Sequence, residues 1–163
     1  MMDLPDSRAA RSWRTIFHMT DGKNSNASGK PDTGGTRIRT VIADDSAHIS
    51  AVVCEHLLEH RRFDVVGFAR NGIEAVESVC TLKPELVIID ISMPEMNGLD
   101  ATRLIKATRE PPVVVIFSLE DSSSYKAAAE KVGADGFCSK LDVLENLLPT
   151  VLELFGEGET SEK

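Results

Sequence analysis

Residues 85–90 read Glu-Leu-Val-Ile-Ile-Asp, four apolar side chains in succession closed by a carboxylate. An uninterrupted apolar run of this length is the pattern of a strand covered on both faces, as in a parallel sheet between helices. The flanking sequence agrees. Upstream, Asn71 to Leu82 carries Ile73, Val76 and Val79 at helical spacing and is ended by Pro84. Phe63 to Phe68 reads as a strand. Ala47 to His60 is a helix with Ile49, Val52, Val53, Leu57 and Leu58 on its apolar side, preceded by a short apolar strand from Thr40 to Ala43 that follows Ile38. Downstream, a loop of Pro, Glu, Asn and Gly leads to a helix over Leu99 to Thr108, then a strand over Val113 to Phe117. A helix over Ser122 to Val132, a short strand over Gly136 to Ser139 and a last helix over Asp142 to Phe155 complete the pattern. Pro149 lies inside the last helix and predicts a kink, because it removes one backbone donor. The alternation is (βα)5, an α/β fold with a doubly wound parallel sheet.

Residues 1–36 differ. Between Asp21 and Thr36 the chain is Gly, Ser, Asn, Asp, Thr, Pro and Lys with a single Ala. Such a segment buries too little apolar surface to offset its ordering entropy and reads as a flexible leader. Residues 37–156 read as the folded domain and 157–163 as a short acidic tail, in which no second domain is expected. The net charge is −8. Residues 1–37 hold six basic and four acidic residues, a surplus of two positive charges, which leaves −10 on the rest. A body so acidic is repelled by nucleic-acid phosphates, so direct nucleic-acid binding is not expected. The three cysteines, Cys54, Cys80 and Cys138, are odd in number and far apart. They read as reduced thiols of a cytoplasmic protein rather than a disulfide framework or a CxxC metal site. No apolar run approaches the length of a membrane helix, and no secretory signal follows the N-terminal arginines.

In open parallel sheets the ligand site lies beyond the carboxyl ends of the strands. The residues found there are Asp44 and Asp45 after the first strand, Asp90 after the third, Ser118 after the fourth and Lys140 after the fifth. Each has an ordinary reading alone: a turn or helix cap for the aspartates and the serine, a solvated stem for the lysine. Together at one edge they place three carboxylates beside one ammonium and one hydroxyl. Carboxylates ~5 Å apart repel by roughly 3 kcal/mol per pair at an effective dielectric near 20. A divalent cation relieves that repulsion, and hard oxygen donors without clustered His or Cys favour Mg²⁺. A cation, an ammonium and a carboxylate nucleophile suit phosphoryl transfer through an aspartyl phosphate. His56 and His60, four apart on the first helix, are two ligands at most and read as a helix-surface pair.

The stretches VIADDS (41–46), FARNGIEAV (68–76), ELVIIDISMPEMNGLDA (85–101), VVVIFSLED (113–121) and GADGFCSKLD (133–142) together resemble the receiver domain of bacterial two-component response regulators, of the stand-alone, chemotaxis-regulator-like kind. The resemblance covers residues 38–155. It implies a flavodoxin-like strand order 2-1-3-4-5. It implies that Asp90 takes a phosphoryl group from a histidine kinase or histidine phosphotransfer protein. Asp45, Asp90 and the Ser92 carbonyl would ligate Mg²⁺, with Asp44 reaching it mainly through water. Ser118 and Lys140 would bind phosphoryl oxygens, and Ser118 with Phe137 would form the switch. A downstream protein would read the surface of the fourth helix, fifth strand and fifth helix, with phosphorylation-dependent homodimerisation left open. The expected role is signalling, without membrane contact, and without catalysis beyond the domain's own phosphorylation and dephosphorylation. Three positions depart from the family pattern. Leu119 replaces a small residue, Leu141 replaces the proline after the lysine, and Phe137 lacks a phenolic hydroxyl. Two other functions on this fold are weaker. A phosphate-ester hydrolase would want a cap insertion and an Asp-x-Asp signature, and a flavin module would want a Ser/Thr-rich rather than acidic first loop.

Overall fold

Alternate residues of β3 (Leu86–Asp90), all buried, feed two separate apolar clusters. Leu86 and Ile88 point into one, Val87 and Ile89 into the other, as the period of two in a strand requires. This is why the run carries no polar residue before Asp90. The computed structural model describes residues 36–156. Almost all of the expected leader and the whole expected tail lie outside them. In chain order the elements are β1 (Ile38–Ala43), α1 (Ala47–Glu59), β2 (Phe63–Ala69), α2 (Gly72–Leu82), β3, α3 (Gly98–Lys106), β4 (Val113–Ser118), α4 (Ser123–Lys131), β5 (Gly136–Ser139) and α5 (Val143–Leu154). The five strands are parallel in the order β2-β1-β3-β4-β5, the expected topology.

One cluster packs α1 and α5 on the sheet: Val53, Cys54 and Leu57 meet Ile42, Ile88, Val115 and Phe117 beside Leu147 and Val151. The other packs α2, α3 and α4 on the opposite face, with Ala75, Val79, Ala101, Ile105 and Ala129 against Val41, Val87, Val114 and Ile116. Each fully buried branched side chain contributes about 2 kcal/mol from its removal from water. Three helix starts are set by side-chain caps. Ser46 accepts from the Ile49 N–H at 3.3 Å, Asn71 from Glu74 at 2.8 Å, and Asn97 from Asp100 at 2.9 Å. At α2 the Glu74 carboxylate also reaches back past the cap, accepting at 2.7 Å from the N–H of Arg70, one residue before Asn71. Lys83 then closes α2 with a left-handed φ of 47° before Pro84.

Small differences from the expected bounds have local causes. Asp90 and Ser118 belong to their strands rather than following them. A 3-10 turn, Lys140–Asp142, sits between β5 and α5 and is capped by Ser139, whose hydroxyl accepts from the Leu141 N–H. α5 runs on through Pro149 as one helix.

Candidate functional site

Strand register assembles the site. Ala43 of β1 pairs with Ile89 of β3, so Asp44 and Asp90 leave neighbouring strands side by side. Asp90 pairs with Phe117 of β4, and Ser118 with Ser139 of β5, which brings Lys140 to the same edge. The Lys140 ammonium lies 2.6 Å from Asp44 Oδ2 and 3.0 Å from Asp90 Oδ2. Its side chain is 9% exposed, and the two carboxylates are more deeply buried still. Asp45 is exposed. Carboxylate oxygens from Asp44, Asp45 and Asp90 lie within 4.8 Å of one another. The three carboxylates and the lysine expected from the sequence therefore meet.

Their environments differ. Asp44 Oδ1 accepts from the Ser46 N–H at 2.8 Å. Asp44 Oδ2 is buried, and its close contact is the ion pair with the Lys140 ammonium. Burial pushes the Asp90 carboxyl above the ordinary carboxylate range. The hydrogen bond and charge of Lys140 and the Ser92 N–H oppose that rise, and the charge of Asp44 adds to it. Burial works against the Lys140 ammonium, but hydrogen bonds and charge from Asp44 and Asp90 outweigh it and hold the lysine above its usual value. One ammonium thus faces more negative charge than it carries. That donor set, hard oxygens only, fits a divalent cation of the Mg²⁺ class. Among the described residues it is the group of three or more metal-capable side chains that meets ligand spacing. His56 and His60 do not extend to a third ligand; His56 Nδ1 is 4.0 Å from Glu59.

The β3–α3 loop is held by two glycines that the sequence reading did not single out. The Gly98 N–H donates to the Ile91 carbonyl at 2.9 Å, and a Cβ there would stand 1.9 Å from the Asp90 carbonyl oxygen. The Gly72 N–H donates to the Met96 carbonyl at 2.9 Å, and a Cβ there would meet that oxygen at 2.5 Å. Close backbone approach, not positive φ, requires glycine at both. Their signal in the sequence was each glycine following a helix-capping Asn.

Ser118 is buried, and its hydroxyl accepts from the Glu120 N–H at 3.1 Å. Phe137 is half-buried against the α2–α4 side, with the Lys126 ammonium 5.9 Å from its ring centroid. Leu119 and Leu141 are 65% and 75% exposed, so both departures from the family pattern put apolar side chains into solvent around the site. Phe117, unremarked in the sequence, lies under Lys140 with 4.9 Å between ammonium and ring centroid. All three cysteines are free, Cys54 and Cys138 buried and Cys80 exposed. No helix among the described residues is long and apolar enough to cross a membrane.

Comparison with known proteins gives a consistent result. The model of the response regulator receiver domain matches residues 40–151. A protein-glutamate methylesterase/protein-glutamine glutaminase of Geobacillus kaustophilus is 38% identical over 104 residues, 63% of this chain and 30% of that protein. Its counterpart in Archaeoglobus fulgidus is 40% identical over 106 residues, 64% of this chain and 30% of that one. The chain thus spans under a third of the curated relatives it matches. Among solved structures, the response regulator domain of CheB from Thermotoga maritima superposes with a TM-score of 0.66 at 30% identity, covering 78% of this chain and 99% of that one. The signal receiver domain of NarL from Mycobacterium tuberculosis gives 0.70 at 26% identity, covering 74% and 97%.

Proposed function

This chain belongs to the response regulator receiver family, and from that premise we propose that Asp90 is its phosphoryl acceptor. The observation that carries the assignment is the Lys140 ammonium, held 2.6 Å from Asp44 and 3.0 Å from Asp90 at the carboxyl edge of the sheet. Asp90 is the carboxylate at the end of the central strand, backed by a clamped loop, and is the one best fixed for in-line attack. An Asp90 oxygen bonds to phosphorus as the bond from phosphorus to the donor's imidazole nitrogen breaks, and the imidazole departs. Lys140 balances charge on a transferred oxygen. The Ser118 hydroxyl leaves the Glu120 N–H and donates to another. Phe137, next to Lys126, turns inward behind it and changes the face of α4, β5 and α5. Asp44, Asp45, Asp90 and the Ser92 carbonyl would hold Mg²⁺, which supplies neutralisation of the developing oxygen charge. The donor is a histidine kinase or histidine phosphotransfer protein, and the readout a protein bound at the altered face. The chain acts as a cytoplasmic signalling domain whose catalysis is confined to its own phosphorylation and dephosphorylation.

Incubation with Mg²⁺ and acetyl phosphate tests this reading by intact mass. One phosphoryl group per chain is expected on the wild type and none on Asp90→Asn. Modification that persists in Asp90→Asn, or sustained hydrolysis of general phosphate esters, would overturn it. Mg²⁺ should also raise the melting temperature of the wild type by a few degrees, and Asp45→Ala should remove that rise.

A further inference from the structure

Phe117 is placed on two sides of the chemistry at once. Across the β3–β4 ladder it is the direct partner of Asp90. Its ring also lies beneath the Lys140 ammonium, 4.9 Å from centroid to Nζ. The ring is 0% exposed and sits in the cluster with Ile88, Val115, Val143 and Leu147, so it cannot follow the lysine if the lysine moves. A cation within about 6 Å of an aromatic face is attracted by the ring quadrupole, more strongly where water is excluded.

We propose that Phe117 is a positioning residue for the phosphoryl transfer proposed above: its ring face holds the Lys140 ammonium at the acceptor. The other contacts of that ammonium are carboxylates, and the reaction changes them. Esterification removes charge from Asp90, and the ammonium must then pair with a phosphoryl oxygen. The neutral ring is the contact that stays the same before and after transfer. It restrains a four-carbon stem that otherwise loses rotamer entropy on ordering. Core filling alone would be met by any large apolar side chain; this role needs a π face.

Two variants separate the roles. Phe117→Leu keeps an apolar filling. Site-specific 3,4,5-trifluorophenylalanine at 117 keeps the ring's shape and weakens its negative face. The wild type should show an upfield ring-current shift of the Lys140 ε-methylene protons by NMR, lost in Phe117→Leu. That readout requires no phosphorylation. The initial rate of modification by acetyl phosphate should fall about 3- to 30-fold in both variants. In a Lys140→Ala background, followed over longer times, the same changes at 117 should have no further effect. Wild-type rates in the trifluoro variant, an equal fall in the Lys140→Ala background, or no ring-current shift would each overturn the role. Absence of any modification of the wild type would overturn the acceptor reading itself, and this role with it.

Discussion

At the residue scale, the decisive fact is imbalance of charge in a buried place. One ammonium serves two buried carboxylates, with a third at the rim. Asp90 bears the consequence, its carboxyl pushed up by burial and by Asp44 against the pull of Lys140 and the Ser92 N–H. The linkage has a definite sign. A carboxyl whose folded pKa exceeds its unfolded one binds its proton more tightly when folded, so its contribution to stability is present at low pH and is lost as pH rises through the raised value. The amide introduced by Asp90→Asn does not titrate. Without Mg²⁺, the stability of Asp90→Asn relative to wild type should therefore increase as pH rises from the ordinary carboxylate range, and then level off. Urea denaturation of both proteins across pH in EDTA measures this, and a difference independent of pH would refute it. The residue types were legible in the sequence because four of the five strand ends carry a carboxylate, a hydroxyl or an ammonium. The contact between Phe117 and Lys140 was not, because an aromatic in an apolar strand looks like core until a cation is placed over its face.

At the element scale, the β3–α3 loop is what makes Asp90 a fixed group. Gly98 lies so close to the Asp90 carbonyl that one added methyl forces the loop or the strand end to shift. Gly98→Ala should cost more than about 2 kcal/mol in stability, since backbone cannot give way as a side-chain tip does. It should also slow modification by acetyl phosphate. Paired urea midpoints and phosphorylation rates check both; native stability in Gly98→Ala would mean that the close approach relaxes freely. The helices and strands themselves were readable from periodicity, because an amphipathic pattern reports which face is buried. Their ends were less so. Asp90 and Ser118 are polar and looked like loop residues, yet ladder bonding to β4 and β5 carries them into the strands. The 3-10 turn at Lys140–Asp142 gave no signal, its cap being a single serine.

At the scale of the whole molecule, the proposed chemistry and part of the stability lie at opposite ends of the sheet. At the amino ends, Asp135 Oδ2 accepts from the Lys106 ammonium at 2.7 Å and from the Val114 N–H at 2.8 Å, tying α3, β4 and the approach to β5 together. Asp135→Ala leaves a backbone donor and an ammonium without that partner and should cost about 1–3 kcal/mol. The rate of acetyl phosphate modification should stay within about twofold of wild type. A large loss of rate would show that the two ends are coupled. The sequence by itself determined the fold class, the domain's acidic character and the set Asp44, Asp45, Asp90, Ser118 and Lys140, because apolar periodicity and strand-end polarity are local and survive in one dimension. The tertiary structure alone decided which carboxylate the lysine touches, how deeply each is buried, which glycines bring two backbones together and which ring lies under the cation. Those depend on register between strands distant in sequence, and no local pattern records the distance between atoms brought together only by folding.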